Sequence, residues 1–134
     1  MTTPRAFAIF CDAIRQEASG KEILIGVYGS DIIPASLPAT ILLSIWIKVE
    51  GVSAPVNTFT IELTNSSGSS LAKFDGASET SEPPLHGTFM AALGGLPVIF
   101  EKQDTLTAWI DINGQRLEAG RLVVSSPRQL PVDR

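Results

Sequence analysis

Few side chains in this sequence are suited to making and breaking bonds, and they are scattered. There is one cysteine, Cys11, and one histidine, His86. A thiol nucleophile needs a base held within hydrogen-bond reach, and the only imidazole lies far along the chain. Cys11 alternates with Phe7 and Ile9, which is the setting of a buried apolar cysteine. His86 follows a polar loop whose folding sets its distance to Glu79, Glu82 and Cys11, and it reads as a surface residue. One Cys and one His cannot complete a zinc site, so only hard cations remain. Asp75, Glu79 and Glu82 offer oxygens on one loop, but their spacing matches no calcium loop, and the segment reads as solvated. Asp12, Glu17, Asp104 and Asp111 have no separation fixed by sequence, so the sequence neither builds nor refutes a glycosidase-type carboxylate pair. Gly26-Val27-Tyr28-Gly29-Ser30 and Gly94-Gly95 lack both the spacing of a phosphate cradle and the Lys-Ser/Thr that follows one. The sequence therefore assigns no catalytic, cofactor-binding or metal-ligating residue, and no cofactor.

The two tryptophans are the more informative residues. Trp46 falls between Ser44 and Lys48, and Trp109 between Thr107 and Asp111, each on the otherwise polar side of an alternating segment. Large aromatics on a solvent face serve as interface anchors. Trp46, Lys48, Trp109 and Asp111 are accordingly the interface candidates, and the expected partner is a protein, either a second copy or a foreign chain. The competing expectation is that a corner or loop of the same chain covers both rings.

At 134 residues the chain is one domain's worth of sequence, able to bury a core without metal or disulfides. A net charge of -4 with dispersed basic residues argues against nucleic acid, which demands concentrated positive charge. The mean hydropathy of +0.22 calls for a thick sheet core or a covered surface. No apolar run approaches the roughly 18 residues of a membrane helix, so membrane insertion is not expected. Met1 to Phe10 is followed too soon by Asp12 and Arg15 to read as a secretion signal. With a single thiol, the expectation is a cytoplasmic protein.

The positioning elements are strands. Glycine and proline fall between short apolar runs, which is the punctuation of an all-β chain. Strands are expected over Arg5 to Ile14, Glu22 to Tyr28, Ile41 to Glu50, Val56 to Leu63, Leu71 to Phe74, Leu85 to Ala91, Val98 to Phe100, Leu106 to Ile112 and Gln115 to Val124. A short helix over Asp12 to Ala18 is an open alternative. In the strongest strand Ile41, Leu43, Ile45, Ile47 and Val49 point inward, a period of two. Gly94-Gly95 and Pro97 are read as a turn, Asp75 to Pro84 as the longest exposed loop, and Asn113-Gly114 as a type I′ hairpin turn. About seven to nine short strands predict an immunoglobulin-like antiparallel β-sandwich, with an eight-stranded barrel as the structural alternative. Its expected bounds are 1–126, with 127–134 as a C-terminal tail.

The run from Phe10-Cys11-Asp12 through Gly20-Lys21 to Leu24-Ile25-Gly26-Val27-Tyr28, followed by Pro34 and Leu37-Pro38-Ala39-Thr40, resembles the opening of a family of small uncharacterised bacterial β-sandwich proteins. The likeness continues at Asp111-Ile112-Asn113-Gly114 and the strand after it. The resemblance implies a single sandwich and carries over no site residue. Function is thereby expected to be that of a non-enzymatic protein-binding or structural module, acting through a sheet face or edge. The alternative is a small-ligand-binding protein, or a hydrolase using carboxylates near the loops.

Overall fold

The computed structural model describes residues 3–78 and 80–127 of the chain. Nine strands follow one another: β1 (Arg5–Gln16), β2 (Glu22–Val27), β3 (Asp31–Ile32), β4 (Ala39–Glu50), β5 (Thr58–Thr64), β6 (Ser70–Ala77), β7 (Thr88–Phe100), β8 (Asp104–Ile112) and β9 (Gln115–Val124). They form a four-stranded sheet in the order β2-β1-β4-β7 and a five-stranded sheet in the order β3-β9-β8-β5-β6. All pairings are antiparallel except that of β3 with β9. The all-β sandwich expected from the sequence is the fold observed. Of the expected tail, 127–134, all but residue 127 lies outside the described residues.

Alternation builds the core. Leu43, Ile45, Ile47 and Val49 on β4 are buried, and they meet Leu106, Ala108, Ile110 and Ile112 of β8 within one apolar cluster. Close approach of the sheets is secured where β1 crosses β9. A methyl group added at Gly120 would stand 3.3 Å from Ala8 Cβ and 3.5 Å from a ring carbon of Phe10, so glycine is what fits there. The Asn113-Gly114 turn has the two positive φ values, 51° and 74°, that a type I′ hairpin requires.

Three local expectations are corrected. The helix considered over Asp12 to Ala18 does not form, because β1 pairs with β2 as far as Gln16. The strand expected from Leu85 starts only at Thr88, because Leu85–Gly87 make a 3-10 turn in which His86 and Gly87 have φ of 59° and 72°. Gly94-Gly95 and Pro97 do not turn the chain. They lie inside β7, where one extra residue forms a bulge: Leu43 pairs with Leu96 but Ile45 pairs with Leu93. Gly95 takes the left-handed conformation, φ 67°, and its N–H is satisfied by the buried Ser44 hydroxyl at 3.2 Å. The tertiary partner, not the dipeptide, decides between turn and bulge.

Candidate interaction surface

The outward sides of the two sheets differ in kind. On the five-stranded sheet, cross-strand register sets Glu62 opposite Trp109 and Asp111 opposite Arg116. The Arg116 guanidinium bridges Glu62 at 2.8 Å and Asp111 at 3.0 Å, and lies 4.8 Å from the centre of the Trp109 ring. Its hydrogen bond holds the Glu62 carboxyl below the usual carboxylate range. Trp109 Nε1 donates to Thr64 Oγ1 at 2.9 Å. Arg121 pairs with Glu118, and the Thr60 hydroxyl donates to Asp75. Several of its charges are paired, although acids outnumber bases on its strands, and Trp109 is half-buried against groups of its own chain.

Apolar side chains dominate the outward side of the four-stranded sheet. Register places Phe7 beside Lys48 and Ile9 beside Trp46, with Met90 and Ala92 on the other flank of that pair. Phe7, Leu42 and Met90 are 40%, 63% and 55% exposed. With Ile99 on β7 and Ile23, Ile25 and Val27 on β2, seven of the eleven large exposed apolar residues among those described belong to this one sheet. On the outward side Phe7, Leu42, Met90 and Ile99, at roughly 150–200 Å² per side chain, leave on the order of 400 Å² of apolar surface in water, within the range of an ordinary monomer. The charges around it cancel. Strands β1, β2, β4 and β7, with the β1–β2 turn, carry Arg5, Arg15, Lys21 and Lys48 against Asp12, Glu17, Glu22 and Glu50. The net charge of -4 therefore resides elsewhere.

The surface is concave on one side. Beyond Cys11, β1 leaves its pairing with β4 and continues with β2 alone as a two-stranded arm. Leu24 and the Ser19-Gly20-Lys21 turn of that arm line, with Ile9, Trp46 and Met90, an open groove of about 640 Å³. At the base of the arm the phenol of Tyr28 donates to Asp12 Oδ1 at 2.5 Å, and Ser44 Oγ donates to the Asp12 carbonyl at 3.2 Å. Burial, with Asp12 beside it, pushes the Cys11 thiol up, against a nucleophilic thiolate.

Of the four interface candidates, Trp46 and Lys48 stand on β4 and Trp109 and Asp111 on β8, so they lie on different sheets and form no common patch. Lys48 pairs with Glu50 at 3.1 Å. Cys11 is fully buried and His86 is exposed, with no element bringing them together. Asp75 is engaged by Thr60, and Glu79 lies outside the described residues. Among the described residues no three His, Cys, Asp or Glu side chains converge as metal ligands would. Sequence reasoning overlooked Leu42, Phe7 and Met90. Their signal was present: Leu42 shares an alternation face with Trp46, and Phe7 with Ile9, so both strands are apolar on both sides. Comparison with protein-family models, curated proteins and solved structures returns no match, so the reading of this chain rests on its own geometry.

Proposed function

We propose that this protein is a non-enzymatic binding module whose docking surface is the outward side of the four-stranded sheet, and that its partner is a protein. One observation carries the proposal: exposed apolar side chains are concentrated on that sheet, whereas the outward side of the opposite sheet is charged and acidic. Apolar surface of this extent, with neutral flanking charge, suits a desolvated protein contact better than it suits a phosphate or a carboxylate ligand. Its setting is taken to be cytoplasmic, which the lone buried thiol supports.

The test compares capture of cellular proteins by the full chain, by a Phe7→Ser/Leu42→Ser variant, and by an Arg116→Ala variant that alters only the charged sheet. Proteins retained by the wild type and by Arg116→Ala but lost from the serine variant support the proposal. Identical capture by all three overturns it. The groove beside Trp46 favours a second reading, an apolar small ligand held under the arm. In a Trp109→Phe background, saturable quenching or blue shift of Trp46 emission by an apolar dye would support that reading, and an unchanged spectrum would remove it.

A further inference from the structure

Of the four terminal strands of the two sheets, three are blunted. β3 is two residues long, β6 carries Lys73 and Asp75, and β2 is six residues with Glu22 at one end and Gly26 at φ 68°. Short length, charge and irregularity are the usual means of preventing one edge from pairing with another. β7 differs. It is a 13-residue edge strand without a single charged residue. Its second half is guarded by the Gly94-Gly95 bulge and by Pro97, which lacks a donor. Its first half, Thr88 to Leu93, has no such guard. Among the described residues, apart from the Thr88 N–H, which donates to the Leu85 carbonyl of the preceding turn, no backbone hydrogen bond outside the ladder with β4 reaches that segment.

We infer that Thr88–Leu93 of β7 pairs antiparallel with the same segment of a second copy, joining two four-stranded sheets into one of eight strands across a two-fold axis. This rests on the reading of the four-stranded sheet as the docking surface, and it names the partner. Three observations select a second copy over a foreign chain. An uncharged strand set antiparallel to itself is self-complementary, since each outward N–H then faces a carbonyl of the same sequence. A six-residue segment is an ordinary strand length and supplies about six intermolecular hydrogen bonds. The sheet that would approach its own copy is electrically neutral, so a chain of net charge -4 meets itself without local repulsion. Met90 and Ala92, both exposed, then lie beside their counterparts and extend the apolar face across the junction.

The experiment is the absolute mass of the full chain by light scattering across a concentration series, for the wild type, a Met90→Lys/Ala92→Lys variant and a Phe7→Ser variant. Lysines on the edge place like charges across the junction, whereas Phe7 stands two strands inside it. The expected result is a wild-type mass of twice 14.3 kDa, retention of that mass by Phe7→Ser, and a shift of dissociation in the lysine variant to about tenfold or more higher concentration. A wild-type monomer at every concentration overturns the inference, as does a lysine variant that dimerises like the wild type. Loss of the dimer in Phe7→Ser but not in the lysine variant also overturns it, because the contact is then the face. Circular dichroism checks the fold of each variant. Should the lysine variant misfold, amide exchange of the wild type decides: protection of Thr88–Leu93 that rises with protein concentration supports the pairing, and protection independent of concentration overturns it. Failure here leaves a foreign-protein contact through Phe7 and Leu42 intact, which the capture comparison addresses separately.

Discussion

Tyr28 is the only tyrosine in the chain, so its ionisation can be followed without interference from another phenol. Its hydroxyl donates to Asp12 Oδ1, and Asp12 lies at the point where β1 leaves the sheet to form the arm. Deprotonation removes that donor and sets a second negative charge against the carboxylate. Loss of the hydrogen bond is the largest cause, with burial and charge repulsion adding to it, and together they raise the phenol from 10.0 to about 12. Asp12→Asn keeps the shape and an accepting oxygen but removes the charge, so the midpoint should fall back toward 10. The assay is a titration of phenolate absorbance, with circular dichroism recorded at each pH to show that the fold persists. Because the folded value lies above the unfolded one, the stabilisation from this bond is complete below pH 10 and is lost as the pH rises toward about 12. The wild type should therefore lose stability relative to Asp12→Asn within that window. A wild-type midpoint near 10, or the same midpoint in both proteins, would refute the coupling of Tyr28 to Asp12.

Ser44→Ala removes one hydroxyl that links the arm to the β7 bulge, leaving the Asp12 carbonyl and the Gly95 N–H without their partner. The expected cost is roughly 1–3 kcal/mol in urea unfolding, and a change below about 0.5 kcal/mol would show that water replaces the hydroxyl. Gly76→Ala sets a methyl carbon 2.2 Å from Phe59 Cζ, which must displace a ring stacked edge-on against Phe89. A loss of about 1–3 kcal/mol is expected, relieved when Phe59→Leu is added, and strictly additive effects of the two changes would count against the contact.

Much of the fold was legible because strand alternation is a local property. The inward set of β4, the Asn113-Gly114 hairpin and the β9 strand after it needed no knowledge of their neighbours. The β7 region was not legible, because Gly94-Gly95-Leu96-Pro97 has the composition of a turn. Its continuation as a strand depends on β4 alongside and on the Ser44 hydroxyl that receives the Gly95 N–H. Ser44 itself was expected on the outward side with Trp46. The bulge and the arm bury it instead, since both bring backbone polar groups that need a partner.

The interface candidates divide along the same line. Apolar residues on the polar side of a strand mark that strand as unusual, which Trp46 and Trp109 both did. Both rings are half-buried, and what lies against each depends on which strands flank it, which is decided by sheet order. β5 and β9 bring Thr64 and Arg116 to Trp109, whereas β1 and β7 bring Ile9 and Ala92 to Trp46. The sequence by itself determined most of the strands and their inward faces, because periodicity is written residue by residue. Only the tertiary structure decided that one sheet is charged and the other apolar, and that β7 ends as an unguarded edge, because both depend on which distant strands lie side by side.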